Sequence, residues 1–383
     1  MTASKAARIV PNPAVSTTSP PSAGRAPQEF HRKLPGYAES PLVHAPEIAR
    51  ELGVGSVLLK DESSRLGLPA FKILGASWAV YRALDERIGG FAPWETIDDL
   101  RRQLDSLTPL TLSAATDGNH GRAVARMAKL LGFDATIYVP AGTTQARIDG
   151  IASEGAPVIV VDGTYDEAVA RSSEDASERC LVISDTSWPG YENIPRWVID
   201  GYSTILWEVE DQLRERGEPA PDLVAVQIGV GALATAVVTH FRQPGQQPKI
   251  VGVEPLRAAC MLSSIEAGHI VSVPGPHDSI MAGLNCGEPS MLAWPVVSTG
   301  VDLFVAVDDE RAREAMRLLA TSGVVAGETG AAGLAGLLEL LHGPTQPDTR
   351  QSLGVNDKTR ILLFITEGAT DPEAYAQIVG NQA

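Results

Sequence analysis

The sequence lacks the features that mark several common classes of protein. Its three cysteines among 383 residues are too few for a disulfide framework, and none lies at zinc-ligand spacing from a histidine. Lysine and arginine (31) are outnumbered by aspartate and glutamate (47), so the net charge of −16 offers no positive field to nucleic acid or anionic lipid. No apolar run approaches the ~18–20 residues that span a bilayer. We therefore expect no metal site, no nucleic-acid partner and no membrane span.

The first 28 residues also lack the apolar segment of a signal peptide and any apolar periodicity. They are rich in proline, serine and alanine, a composition that cannot offset the entropy of ordering a backbone. We predict a mobile arm over residues 1–28 and a cytoplasmic protein.

What the sequence does contain, from about residue 41 onward, is an alternation of short apolar strands with helices. Strands are predicted over 56–62, 110–116, 135–140, 156–162, 180–185, 223–228, 249–255, 303–307 and 360–366. Strands that are apolar throughout are typical of a parallel sheet covered on both faces. The pattern and the length predict an α/β protein of two doubly wound open sheets, with a surface loop over 343–358.

A glycine-rich turn, Gly229-Val230-Gly231-Ala232, joins the strand LVAVQI to a helix. Such a turn presents unpaired backbone N–H groups and the positive end of a helix dipole, and it binds phosphate. It also matches the dinucleotide pattern GxGxxA, with Glu254 after the next strand as the ribose-binding acid, so an NAD-binding Rossmann protein stays open. A third possibility is a turn whose glycines only let strand and helix approach closely.

A lysine and a second glycine-containing turn add side-chain chemistry. Lys72 begins a predicted helix within the run PAFK, where apolar neighbours would desolvate its amine as in Schiff-base lysines. Alternatively, its stem packs while the ammonium reaches water. The turn ATDGNHG (115–121) follows a strand and carries Asp117 and Asn119, which either serve a ligand or cap the helix. Two such turns in separate βα units predict a ligand held between two sheets at their carboxyl ends.

Seven motifs, in order and spread over residues 60–373, resemble the fold-type II pyridoxal-phosphate (PLP) enzymes, and among them most closely the diaminopropionate ammonia-lyases. They are PAFK, ATDGNHG, QIGVGALA, VGVEP, MAGLNCGEPS, GETGAAG and TEGATDP. The most specific residue is Asp117, because relatives in the serine/threonine dehydratase branch carry a small residue there. Two positions depart from the family pattern: ILGA follows Lys72 where VLGG is common, and Ile365 replaces a serine.

The resemblance implies PLP as cofactor and α,β-elimination of D- or L-2,3-diaminopropionate to pyruvate and ammonia. It makes Lys72 the lysine bonded to PLP, Asn119 the partner of the PLP 3′-oxygen, and Thr366 the hydroxyl facing the pyridine nitrogen. The phosphate cradle becomes Gly229, Val230, Gly231 and Ala232. The family fold implies an active site between the two sheets, and a homodimer is expected.

Two acids are candidates for the base that removes the Cα proton. The resemblance assigns Asp117 to the D isomer and Asp185, which ends the strand CLVISD, to the L isomer. The alternative for Asp185 is a turn residue, since Asp-Thr-Ser is common in turns. The alternative for the whole protein is another PLP-dependent β-eliminase, such as a serine or threonine dehydratase.

The resemblance also divides the chain into domains. It predicts a large PLP-binding domain over 29–85 and 186–383 and a small domain over 86–185. Cys260 and Cys286 lie in segments where the family has cysteines, which makes them candidates for a close pair near the active-site entrance. Alternatively, they are small buried apolar side chains.

Overall fold

The computed structural model of the chain describes residues 7–16, 18, 20–116, 118–245 and 247–380. Within these residues the strands are β1 (Arg8–Pro11), β2 (Leu42–His44), β3 (Ser56–Asp61), β4 (Thr111–Ala115), β5 (Asp134–Pro140), β6 (Val158–Val161), β7 (Cys180–Val182), β8 (Leu223–Gln227), β9 (Lys249–Pro255), β10 (Leu303–Val307) and β11 (Arg360–Ile365). The α-helices are α1 (Ala26–His31), α2 (Pro46–Leu52), α3 (Lys72–Ile88), α4 (Ile97–Gln103), α5 (Asn119–Leu131), α6 (Gln145–Ala152), α7 (Tyr165–Ser173), α8 (Asn193–Arg216), α9 (Ala232–Phe241), α10 (Cys260–Ala267), α11 (Trp294–Gly300), α12 (Asp309–Thr321), α13 (Ala332–His342), α14 (Gln346–Leu353) and α15 (Pro372–Val379).

The chain folds as two units. The larger contains the described residues of 1–22, 39–64 and 205–383, and the smaller contains 23–38 and 65–204. Residues 29–38, 65–85 and 186–204, which were predicted to lie in the large domain, fall in the smaller unit.

Two glycines explain why the start of α8 belongs with α3. A Cβ on Gly75 would lie 2.5 Å from the ring of Tyr202, and one on Gly201 would lie 2.4 Å from the carbonyl oxygen of Leu74. The two helices therefore approach more closely than any side chain at these positions would allow. Sequence periodicity finds each helix but does not find this long-range contact.

The larger unit contains a seven-stranded sheet in the order β1-β10-β9-β8-β11-β3-β2. The five central strands are parallel, as predicted, and every residue of β8 and β10 is buried. Both edge strands are antiparallel, which the sequence analysis did not predict. Helices α2, α12 and α13 contribute to one apolar core with this sheet.

Two predictions about irregular segments of the larger unit are wrong. Residues 8–11 are not a mobile arm but the edge strand β1, paired with β10, with Ile9 packed against the apolar core. The predicted loop over 343–358 contains the helix α14. Both elements are short and have little apolar periodicity of their own, so only their tertiary contacts identify them.

The smaller unit contains a four-stranded parallel sheet in the order β6-β5-β4-β7. The helix α5 follows β4, has the predicted bounds and packs against α3. Because the strands are parallel, the segments after β4, β6 and β7 all leave the same edge of the sheet. In the described part of the chain, no helix combines the length and apolar character needed to cross a bilayer, and no group of three or more His, Cys, Asp or Glu side chains could hold a metal.

Candidate active site

In the smaller unit, Lys72 and Asp185 lie in direct contact. Lys72 is the first residue of α3, and its Nζ donates a hydrogen bond of 2.7 Å to Oδ2 of Asp185. Asp185 lies three residues beyond the end of β7. The lysine side chain is 19% exposed and the carboxylate 6% exposed, so the amine is reachable while the acid is enclosed. Two residues that the sequence singled out 113 positions apart thus form one pair.

Three further groups face the Asp185 carboxylate or fix its loop. The hydroxyl of Tyr165, at the start of α7, donates to Oδ1 of Asp185 at 3.0 Å. Burial alone would raise the pKa of Asp185, but the Lys72 ammonium, the His120 imidazole and the hydrogen bonds from Lys72 and Tyr165 outweigh it and hold the pKa well below its usual range. The backbone N–H of Ser184 donates to the hydroxyl of Tyr191, which in turn donates to the carbonyl of Val182. The carboxylate is therefore ionised and held in place.

The turn before α5 reaches the same part of the smaller unit. Asn119 is the first residue of α5 and is half-buried, and the N-cap position is Gly118, with φ +145°. Asn119 is therefore not the helix cap that the alternative interpretation required. His120 bonds through Nε2 to the carbonyl oxygen of Ile183 at 2.8 Å, which ties the start of α5 to the segment that carries Asp185. Asp117, the predicted base for the D isomer, lies outside the described residues.

In the larger unit, the glycine turn has the conformation that anion binding needs. It joins β8 to α9, and Gly231 at the N-cap has φ +103°, in the left-handed region that favours glycine. No side chain of the described residues caps α9, so the first N–H groups of the helix face outward from a positive dipole end. A Cβ on Gly231 would lie 2.7 Å from the Cβ of Ala293, and one on Gly229 would lie 3.1 Å from the carbonyl oxygen of Gly283. Both glycines are therefore required by close packing against neighbouring residues, and the turn leaves the start of α9 without a side-chain cap among the described residues.

The predicted hydroxyl, Thr366, follows β11 directly and is buried, with 2% exposure. Its Oγ1 lies 2.9 Å from Nε2 of Gln227, the last residue of the neighbouring strand β8. Both residues therefore lie at the carboxyl ends of adjacent parallel strands, next to the glycine turn.

The residues that an NAD site would use have other partners. Glu254 is fully buried and accepts hydrogen bonds from the backbone N–H groups of Met261 and Leu262, at 2.8 and 2.7 Å. Its carboxylate thus holds the start of α10 instead of facing a ribose. Cys260 and Cys286 are both buried free thiols and both approach Gly229, and burial raises the pKa of Cys260 well above its usual value.

Sequence reasoning missed Tyr165 and Gln227 as residues of the site. Each lies at or just beyond the carboxyl end of a parallel strand, which is the general signal for ligand-facing positions. Gln227 is also a polar residue in a strand that is buried throughout, and such a residue needs a partner. His120 was noted in its motif but was given no role.

Comparisons with known proteins agree with this arrangement. The family model described as pyridoxal-phosphate dependent enzyme matches residues 33–356. The diaminopropionate ammonia-lyase of Salmonella typhimurium is 37% identical over 369 residues, which cover 92% of this chain and 90% of that protein. The crystal structure of the Escherichia coli diaminopropionate ammonia-lyase in complex with D-serine has a TM-score of 0.90 at 34% identity, covering 98% of this chain and 97% of that one. A biosynthetic L-threonine dehydratase of Corynebacterium glutamicum is 26% identical, over 89% of this chain and 70% of its own length.

Proposed function

The chain belongs to the family of pyridoxal-phosphate dependent enzymes and, within it, to the diaminopropionate ammonia-lyases, and we propose that it converts 2,3-diaminopropionate and water to pyruvate and two molecules of ammonia. The observation that carries the proposal for this chain's own chemistry is the 2.7 Å contact between the Lys72 amine and the Asp185 carboxylate. It puts a nucleophilic amine and a base side by side, which elimination from an amino acid requires.

The residues of the site fit PLP by their chemistry. The uncapped start of α9, with its glycine turn, suits the dianionic phosphate, and the Lys72 amine suits the aldehyde. We assign the Thr366 hydroxyl to the pyridine nitrogen and Asn119 to the 3′-oxygen. When bound, PLP supplies the electron sink that makes the Cα proton of an amino acid removable.

This chain's own residues then move the protons. We propose that Oδ2 of Asp185 accepts the Cα proton of the L isomer after the substrate has taken Lys72's place on the cofactor. Departure of the lysine charge raises the basicity of Asp185, while the Tyr165 hydroxyl still holds the carboxylate in orientation. Lys72, once free, can take up the proton that the substrate's α-ammonium group releases and, as the ammonium, would be the group available to protonate the departing β-amino group.

For the D isomer we propose Asp117 as the base, since its proton leaves from the opposite face of the substrate. The support is the ATDGNHG motif, in which Asp117 replaces the small residue of the dehydratase branch. The chain is 37% identical to the diaminopropionate ammonia-lyase and 26% identical to the threonine dehydratase, and this difference favours diaminopropionate as the substrate. We also propose that the enzyme works as a cytoplasmic homodimer, which sedimentation of the purified protein tests.

A substrate comparison tests the proposed function. Purified enzyme loaded with PLP is incubated with D- and L-diaminopropionate, L-serine and L-threonine, and pyruvate (2-oxobutyrate for threonine) and ammonia are measured. We expect two ammonia per pyruvate from diaminopropionate and a kcat/KM for it at least ~100-fold above that for serine or threonine, a difference of ~3 kcal/mol in transition-state binding. Preference for threonine would make the enzyme a dehydratase instead.

The phosphate assignment has its own test with a matched control. Gly231→Asp introduces a Cβ 2.7 Å from Ala293 and a negative charge at the start of α9, so PLP affinity should fall severely. Gly268→Ala is the control: it has φ +76°, also left-handed, but no atom within 4 Å of the added Cβ. The control should cost only the ~1–2 kcal/mol of backbone strain and keep PLP affinity. Equal PLP affinity in both variants would show that the phosphate binds at another place in the protein.

A further inference from the structure

The buried amide of Gln227 has an orientation that the structure determines by itself. Its Nε2 lies 3.0 Å from the carbonyl oxygen of Phe364 and 3.1 Å from that of Thr329. Backbone carbonyl oxygens only accept hydrogen bonds, so the NH₂ group and not the amide oxygen must face them. Gln227 is 3% exposed, which excludes bulk water as a competing partner.

This orientation decides the role of the neighbouring hydroxyl. Oγ1 of Thr366 lies 2.9 Å from the same Nε2, and because an amide nitrogen does not accept, Thr366 is the acceptor in this contact. The two N–H protons of Gln227 are thus shared among three acceptors, of which Thr366 is the nearest. Its own proton then has to point to another acceptor. The one within its reach among the described residues is the carbonyl oxygen of Thr329 at 3.5 Å, the outer limit of a hydrogen bond.

The other end of the amide shows that this arrangement has a cost. Among the described residues, Oε1 of Gln227 has no hydrogen-bond partner, and it faces the backbone of Gly333, where an added Cβ would lie 3.4 Å away. A buried acceptor without a partner destabilises a fold by roughly 1–3 kcal/mol. A methionine or leucine would avoid that cost but would remove the donor to the carbonyl oxygens of Phe364 and Thr329 as well as to Thr366, so the glutamine is explained by its hydrogen bonds and not by packing alone.

We propose that Gln227 is a positioning residue: by donating to Thr366 it turns the Thr366 hydroxyl proton toward the cofactor ring nitrogen and keeps that nitrogen an unprotonated acceptor. This inference rests on the proposed function, in which Thr366 faces the pyridine nitrogen. Without the Gln227 donor, the Thr366 proton turns to the carbonyl oxygen of Thr329. A lone pair of the Thr366 hydroxyl oxygen then faces the cofactor ring and favours the protonated form of the ring nitrogen.

A double-mutant cycle separates positioning from simple strapping of β8 to β11. The variants are Gln227→Met, Thr366→Val and the two combined, each reconstituted with PLP. Gln227→Met should weaken PLP binding and lower kcat/KM by ~3–10-fold, the loss of one neutral hydrogen bond. In the Thr366→Val background the same change should have less than ~2-fold effect, because the hydroxyl through which Gln227 acts is gone. Effects that multiply would mean that Gln227 acts without Thr366 and would overturn the inference.

A spectroscopic measurement reports on the nitrogen itself. In holoenzyme reconstituted with ring-nitrogen-15-labelled PLP, the solid-state NMR signal should lie in the unprotonated pyridine range in the wild type and move upfield toward the pyridinium range in Gln227→Met. A pyridinium signal in the wild type would overturn the inference without any variant, which covers the case of a misfolded Gln227→Met. If Thr366→Val changes neither the signal nor PLP affinity, the Thr366 assignment itself fails, and the inference with it.

Discussion

Each of the two units contains a lysine–carboxylate pair with the same N–O distance, and we propose different roles for the two pairs. Lys60, on β3 of the larger unit, lies 2.7 Å from Glu208, and Lys72, at the start of α3 in the smaller unit, lies 2.7 Å from Asp185. Lys60 and Glu208 have no exposed surface, whereas Lys72 is 19% exposed. The distance alone therefore does not distinguish the pair proposed to be catalytic from a structural one, and the exposure of the lysine has to be considered with it.

The surroundings of the two lysines make the difference. Lys60 also donates to the carbonyl of Ser40 at 2.8 Å and to Oε1 of Gln212 at 3.1 Å, so three acceptors match the three protons of its ammonium. Removing the Lys60 ammonium would leave buried hydrogen-bond acceptors without their donor. Lys72 lies at the start of a helix with part of its side chain exposed, and under the proposed function a substrate takes its place beside Asp185. The exposure and position of Lys72 therefore distinguish the pair that we propose to be reactive from the fully buried one.

The largest effect should come from removing the reactive lysine. Lys72→Ala should abolish turnover, because Lys72 is the residue that we propose to bond PLP covalently. Reduction with borohydride followed by intact-mass measurement should attach PLP to the wild type and to Lys60→Met but not to Lys72→Ala. Covalent PLP in Lys72→Ala would assign the bond to another lysine.

The next effect separates the two proposed bases. Asp185→Asn should lower kcat/KM for L-diaminopropionate by ~10²–10⁴-fold, the usual cost of a lost general base, and spare the D isomer. Asp117→Asn should do the reverse. The asparagines keep shape and hydrogen bonding, so equal losses for both isomers would point to structural roles.

Removing the structural lysine should cost stability rather than chemistry. Lys60→Met leaves Glu208 buried without its partner and should lower the free energy of unfolding by ~3–5 kcal/mol in urea titration. The activity per folded molecule should stay within ~2-fold of wild type. The double variant Lys60→Met/Glu208→Leu should recover most of the stability, since an apolar pair needs no desolvation. A loss of activity per folded molecule would show that Lys60 also contributes to activity, and the proposed difference between the two pairs would be wrong.

The smallest effect is a pH dependence of stability in the protein before PLP is added. The pKa of Asp185 is lower in the folded than in the unfolded chain, so the pair contributes stability above pH ~3.9 and loses it as the pH falls through the folded value. Between about pH 5 and pH 2, wild type should therefore lose stability more steeply than Asp185→Asn, as measured by thermal unfolding. Parallel curves would show that Asp185 has no such partner.

The elements predicted most accurately from the sequence are those with a clear local pattern of apolar residues. Strands β9 and β10 have their predicted bounds, because each is an apolar segment, and β10 lies between two aspartates, Asp302 and Asp308. Lys72 and Asp185 were found through their motifs. The edge strands β1 and β2 were not predicted, because three or four residues hold no period and their partners are far away in the chain.

The residues that orient the site could not be predicted in the same way. Tyr165 meets Asp185 and Gln227 meets Thr366 only through the order of strands in a sheet. Gln227 and Thr366 lie at the ends of the adjacent strands β8 and β11, whereas Tyr165 and Asp185 follow β6 and β7, the two edge strands of the smaller sheet. A single sequence does not reveal either arrangement. A polar residue ending a fully apolar strand, as Gln227 does, is nevertheless a signal that can be searched for in other chains.

The strand order also determines when each sheet can be completed during translation. In the larger sheet, Leu58 of β3 pairs with Leu362 of β11, roughly 300 residues later, so this sheet stays incomplete until β11 has been translated. The four strands of the smaller sheet lie within residues 111–182 and leave the ribosome together. At ~5–20 residues per second, the ~180 residues from the end of β7 to the end of β11 take roughly 9–36 s to appear. During that interval β3 has no β11 to pair with, so the nascent chain carries an apolar strand that lacks one of its two neighbours.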